Sequence, residues 1–280
     1  MTVRVVTDSS ADLSPALAGE LSIEVVPLKV RFGDEELIDG VDLTPADFWA
    51  RMRASHTIPQ TAAPSPGDFE RAFTKALDEG ANGIVCVTIS SNASASHRAA
   101  ELAAEQFAGR CPVAVVDSLS VSAGLGNLCR AAARRAVEGD GVEAIAARLE
   151  QLRGAASLYG AVATLEYLRR GGRIGTAKAL LGTALAIRPV LKAKQGTVDL
   201  TAMVRTRRRA LAWMVDRLDQ DRPVESVTVF HGDASDVDAF VEMLAARAPG
   251  QPIDIAVMGP VLGTHVGPGT VGVAYFTTAG

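Results

Sequence analysis

Three short runs, Val3–Val6, Ile84–Ile89 and Val113–Val116, carry β-branched residues on both faces instead of at alternate positions. A strand with one wet face alternates; a strand buried on both faces does not. Such strands belong inside a parallel sheet, and a parallel sheet needs crossover connections and helices on both faces. The segments between the runs supply them. Thr44-Pro45-Ala46-Asp47 and Ser65-Pro66-Gly67-Asp68 each place a hydroxyl at the N-cap, proline at the first helical position and an acid at the third. Ala-rich helices are expected over Arg98–Phe107, Leu125–Glu138 and Val142–Arg153. The first half therefore reads as a βαβ layer structure.

The second half alternates less cleanly. Strands are expected at Gly160–Leu165, Val198–Met203, Val227–His231, Ile255–Met258 and Val271–Phe276, with helices at Lys178–Ala186, Thr206–Arg217 and Asp236–Ala248. That mixture predicts a second α/β unit with a mixed sheet, divided from the first near Gly154-Ala155-Ala156-Ser157. The 280 residues suffice for two cores; at 48% hydrophobic and 5% aromatic, those cores are mostly Ala, Val, Leu and Ile.

Hydroxyl groups collect where the first three strands end. Val3–Val6 runs into Thr7-Asp8-Ser9-Ser10, Ile84–Ile89 into Ser90-Ser91-Asn92-Ala93-Ser94-Ala95-Ser96, and Val113–Val116 into Asp117-Ser118-Leu119-Ser120. Ligands of open parallel sheets bind outside the carboxyl ends of the strands, so one rim receives three sets of small polar groups. The second set also opens a helix, whose first N–H groups favour an anion. Serine clusters serve equally as caps and turns, and from the residues alone both readings stand.

Other chemistry is poorly represented. The chain has 28 basic and 32 acidic residues, a net −4, which disfavours a general nucleic-acid or anionic-membrane binder. Cys86, Cys111 and Cys129 are scattered and odd in number, as in a reducing cytoplasm, and the first ten residues lack a signal-peptide pattern. No apolar run reaches the roughly 18 residues a membrane span needs. His56, His97, His231 and His265 share no metal-ligand spacing, so no metal is expected, and there is no GxSxG elbow. Gly267–Gly272 matches GxGxxG but precedes a final strand instead of opening a helix, which makes it a turn. His265 lies in a glycine-flanked loop, where a single histidine is ordinarily surface decoration. Two arginine-rich stretches, Leu168–Ile174 and Arg205–Arg209, are either solvated faces or contacts for an acidic or phosphoryl group.

VTDSSADLS at Val6–Ser14, TAAPSP at Thr61–Pro66, ISSNASAS at Ile89–Ser96, VVDSLSVSAGLG at Val115–Gly126, LEYLRRGGRIG at Leu165–Gly175 and GPVLGTHVGPGTVGVAYF at Gly259–Phe276 resemble, in order and over nearly the whole chain, the signatures of the DegV family. The resemblance implies a two-domain α/β fold. An N-terminal three-layer parallel-sheet domain, 1–155, would carry carboxylate-binding loops, and a C-terminal α/β domain with a mixed sheet, 156–280, would cover an acyl chain. It implies a non-catalytic fatty-acid-binding protein, cytoplasmic and bacterial, with a long-chain ligand of the palmitate class (roughly C14–C18) and no cofactor. Its partner would be a separate fatty acid kinase subunit, with transient membrane contact to load lipid and no role for nucleic acid.

Carried over by motif, Thr61, Ser94, the backbone of Ala95 and His265 would hold the carboxylate. Arg205, Arg170 and Arg173 would face the partner or its phosphoryl group. The chain departs from the family pattern at Ala62 and Ala63, where Ser and Gln are usual, and at Asn92, Ala93, Ala95 and Ser96 around the serine loop. The rival readings are a phosphotransferase or hydrolase acting through Ser94 with His265 as base, and a nucleic-acid module built on Arg205–Arg209.

Overall fold

The computed structural model describes residues 2–54, 57–180, 187–194 and 197–278. In the first half the elements are β1 (Val3–Asp8), α1 (Pro15–Glu20), β2 (Ile23–Val26), β3 (Lys29–Phe32), β4 (Glu35–Ile38), α2 (Pro45–Ala54) and β5 (Gln60–Ala62). They are followed by α3 (Pro66–Asp78), β6 (Gly83–Thr88), α4 (Ser96–Glu105), β7 (Val113–Asp117), α5 (Ser122–Val137) and α6 (Val142–Ala155).

The parallel sheet has the order β2-β1-β6-β7. Its central strand β6 is buried throughout, Ile84 and Cys86 packing with Phe69 and Phe73 of α3 while Val85 and Val87 pack with Leu125 and Leu128 of α5. This is the three-layer arrangement expected. Both proline-capped helix starts hold as well. Ser65 accepts from the Asp68 N–H while Asp68 accepts from the Ser65 N–H, and Thr44 makes the same exchange with Asp47 through its side chain.

A second, three-stranded antiparallel sheet, β4-β3-β5, was not expected. Its strands are three or four residues long, and β3 and β4 are half charged (Lys29, Arg31, Glu35, Glu36), so any alternation is too short to mark a strand.

The second half contains β8 (Ala156–Ala161), α7 (Glu166–Arg170), β9 (Arg188–Lys194), β10 (Thr197–Val204), α8 (Arg207–Gln220) and β11 (Val224–Gly232). After these come α9 (Val237–Arg247), β12 (Ile253–Val257), α10 (Pro260–Val266) and β13 (Thr270–Thr277). The six strands form a mixed sheet, β10-β9-β8-β13-β11-β12, in which only the β11–β12 pairing is parallel. The strand expected at Gly160–Leu165 lies four residues earlier, because α6 passes directly into β8 at Ala156. Of the helix expected over Lys178–Ala186, residues 178–180 belong to a 3-10 turn, Gly175–Leu180, and the remainder lies outside the described residues.

One face of the mixed sheet packs under α8 and α9, with Leu211, Met214 and Phe240 against Tyr159, Val229 and Val273. The other face meets the first half: Leu158, Phe230 and Ala274 share a cluster with Phe48, Trp49 and Met258. Polar bonds set the register of that junction. Trp49 Nε1 donates to the Met258 carbonyl at 2.9 Å. Asn127 donates to the Ser226 carbonyl at 2.6 Å and accepts from Thr228 Oγ1 at 2.8 Å. Among the described residues no helix is long and apolar enough to cross a membrane.

Removing the Asn127 amide would strand Thr228 and Ser226 in a buried contact. Asn127→Ala is therefore expected to lower the unfolding free energy by about 1–3 kcal/mol in urea titrations, with an unchanged denaturant slope.

Candidate functional site

Because β1, β6 and β7 run parallel and adjacent, their polar carboxyl ends do meet on one rim. The turn after β6 is tight: the Ala93 and Ser94 N–H groups both donate to the Ser90 carbonyl, at 2.9 and 3.1 Å. Ser94 Oγ lies 2.9 Å from Ser96 Oγ and accepts from the Ser96 N–H, which pairs the two hydroxyls at the start of α4, with Ser96 itself buried. Ala95 is the N-cap residue of that helix and has no side-chain cap of its own, so its backbone is what it offers.

Thr61 approaches from a different sheet. It lies on β5 opposite Val30 of β3, and its Oγ1 is 2.9 Å from His265 Nε2. His265 is not on a loop, as expected, but near the end of α10, which starts at Gly259 with Pro260 in its first turn and stops at Gly267. Gly267 has a φ of 74°, and a side chain there would run into the Tyr167 ring. Nor is the imidazole surface decoration: its Nδ1 is shielded from water and has no partner among the described residues. Burial, reinforced by the Arg173 charge, pushes the His265 pKa down to about 4, so the ring is neutral at ordinary pH.

Arg173 closes the arrangement. Its Nε and Nη2 donate to the Ala93 carbonyl, both at 3.2 Å, and its Nη1 donates to the Gly171 carbonyl at 2.7 Å. Gly171 lies flush against the imidazole, and a Cβ there would strike His265 Nδ1. One guanidinium thus ties the serine turn to the segment that backs the histidine. Arg170 is engaged separately, its Nε donating to Glu166 at 2.5 Å, and Glu166 also holds Arg169. Arg205 is exposed at the bend between β10 and α8. Of the seven residues singled out from the sequence, Thr61, His265, Ser94, Ala95 and Arg173 are linked by these contacts, and Arg170 and Arg205 take no part in them.

Three acids escaped the sequence reading. Asp8 is buried and accepts from the N–H groups of Ile89 at 2.8 Å and Ser10 at 3.1 Å. Asp12 accepts from the Ser122 hydroxyl and from the Gly259 N–H, the latter at 2.8 Å. Asp39 is buried, and the neighbouring Ser9 hydroxyl and Gly40 N–H favour its charged form. Burial raises the pKa of all three, Asp12 to about 7 and Asp39 to about 6. An acid closing a buried strand signals Asp8 in the sequence; nothing there marks Asp12 or Asp39. No cluster suited to a metal ion occurs among the described residues.

The model of the DegV family of uncharacterised proteins matches residues 2–278. A DegV domain-containing protein of Mycobacterium bovis is 40% identical over 278 residues, covering 98% of this chain and 96% of the relative. The chain belongs to the DegV family. A fatty-acid-binding DegV family protein from Thermus thermophilus superposes with a TM-score of 0.91 at 34% identity, over 99% of this chain and all of that one. A stearic-acid-binding protein from Eubacterium ventriosum superposes at 0.87 with 26% identity, over 98% of this chain and 97% of its own.

In this DegV protein no hydrogen bond joins Ser94 and His265: Ser94 Oγ pairs with Ser96 and His265 Nε2 with Thr61. A Ser94 nucleophile with His265 as its base finds no support in that geometry. The Gly171–His265 contact is directly testable. In wild type the His265 ring protons should titrate near pH 4 by NMR. Gly171→Ala should displace the ring from Thr61 and move that midpoint up toward the ordinary histidine range.

Proposed function

We propose that this DegV protein binds one long-chain fatty acid, of roughly C14–C18 length, with its carboxylate between Thr61, His265 and the Ser94–Ala95 turn. In this reading the unit 1–155 supplies the turn and Thr61, and the unit 156–280 covers the acyl chain. The observation that carries it is the neutral His265 bonded to Thr61 beside a helix-opening serine pair. Hydroxyl, imidazole and backbone N–H donors suit an acid group that must not be left unsatisfied when its tail is buried.

Behind the site lies an apolar cluster of Val162, Leu168, Ile174, Ala177 and Leu191, against which Val266, the neighbour of His265, also packs. We take this cluster as the apolar surface toward which the tail would extend. A C16 chain has about 14 methylenes, each contributing roughly 0.8 kcal/mol, so the ceiling is about 11 kcal/mol before ordering costs. Affinity would therefore reside in the tail and orientation in the head.

The relatives of Thermus thermophilus and Eubacterium ventriosum, whose folds match over almost their full lengths, bind fatty acids. We read the protein as a non-catalytic carrier, drawing lipid by transient membrane contact. It would present the carboxylate to a separate kinase subunit that transfers a phosphoryl group from ATP to a carboxylate oxygen. The exposed Arg205, and Arg170 at the end of α7, are the residues assigned to that partner.

The test uses delipidated protein and oleate. Ser94→Ala combined with Thr61→Val should weaken oleate binding by about tenfold or more while leaving the melting temperature within a few degrees, as about 1–2 kcal/mol of head-group bonding requires. Unchanged affinity in the double variant would overturn the placement of the carboxylate.

A further inference from the structure

The first turn of α10 is held by a polar junction that the proposed acid site does not itself use. Asp12 closes the 3-10 turn Ser9–Ala11 and spans two other elements: one carboxylate oxygen accepts from the Ser122 hydroxyl at the start of α5, the other from the N–H of Gly259, the N-cap of α10. The junction is strained. Asp12 and Ser122, bonded to each other, have φ of 51° and 50°, and Leu119 nearby has 48°. A non-glycine residue in the left-handed region costs about 1 kcal/mol or more and persists only where its surroundings demand it. A second acid crowds the same spot: a Cβ on Gly259 would lie 3.1 Å from Asp12 Oδ1 and 3.8 Å from Asp39 Oδ1.

We propose that Asp12 is a positioning residue for the acid site, which when ionised clamps the start of α10 and so sets His265, and when protonated relaxes that grip. Ligand retention is then proton-linked. The inference rests on the fatty-acid reading above for its ligand but on the junction's own geometry for its mechanism.

The chemistry follows from what each neighbour can do. The Gly259 N–H can only donate, so it is held more strongly by a carboxylate than by a neutral acid. The Ser122 hydroxyl can rotate to accept, so a proton on the facing oxygen is tolerated there. The charged groups acting on Asp12 are Asp39, from the turn after β4, and Asp8, from the end of β1; both are acids and both favour its protonation. Burial is the larger cause, and together they place the Asp12 transition near neutrality. The path to the site is short. His265 lies six residues beyond Gly259 on a single seven-residue helix, with Trp49 gripping the Met258 carbonyl just ahead of it.

The experiment measures binding of cis-parinaric acid to delipidated full-length protein from about pH 6 to about pH 8.5. Wild type should tighten about fivefold across that range, the difference between a charge-assisted and a neutral hydrogen bond. Asp12→Asn keeps an acceptor for Gly259 and a partner for Ser122 but cannot ionise. It should bind at the wild-type low-pH level throughout, with a flat profile. An Asp12→Asn profile that follows wild type would overturn the proposal.

The Gly259 amide resonance of ¹⁵N-labelled wild type gives a ligand-free check. It should titrate with a midpoint near 7 and take the His265 ring signals with it; an amide that does not move with pH overturns the clamp. Failure of wild type to bind the probe at any pH would instead overturn the fatty-acid reading, and the amide titration would still decide the role of Asp12.

Discussion

Thr61 and His265 stand 204 positions apart and share a 2.9 Å hydrogen bond, and much of the molecule serves to keep the two ends of that bond in place. Thr61 is on a three-residue strand whose position is set by pairing with β3. His265 is on a seven-residue helix, too short to persist alone. Phe48 and Trp49 close over Gly263 on one side of that helix, Asp12 holds its start, and Tyr167 lies against its terminal Gly267. Neither half of the site has a fixed geometry without the surface that the other half of the chain provides.

The same packing decides the electrostatics. A site with a buried arginine would carry an unpaired charge whenever it was empty, at a cost of several kcal/mol. Here the buried groups are an imidazole held neutral, two serine hydroxyls and a threonine, and the guanidinium nearest to them, Arg173, is exposed and spent on backbone carbonyls. Such a site can stand empty at little expense. That property fits a protein that must load and release its ligand better than one that stores it.

How far these features could be read from the chain depended on whether the determining contact was local. The strands β1, β6 and β7 were legible because burial on both faces writes a continuous β-branched run, and α2 and α3 because their caps use neighbouring residues. The β4-β3-β5 sheet was not, since its strands are only three or four residues long, and while β3 and β4 pair as a local hairpin, β5 joins them from some thirty positions away. The serine turn showed as a cluster. His265 and Thr61 had no local mark and entered through family motifs; by itself His265 looked like a surface loop residue. The acids Asp12 and Asp39 acquire their unusual titration from burial by distant segments, which no reading of nearby residues reveals.

The central claim is that the space between Thr61, His265 and Ser94 belongs to the carboxylate of a fatty acid. The most direct measurement is mass spectrometry of an organic extract from protein purified without detergent. The account predicts a long-chain fatty acid in stoichiometric amount, at lower occupancy in the Ser94→Ala, Thr61→Val double variant. An extract free of fatty acid, from wild-type protein that also fails to take up added oleate, would contradict it.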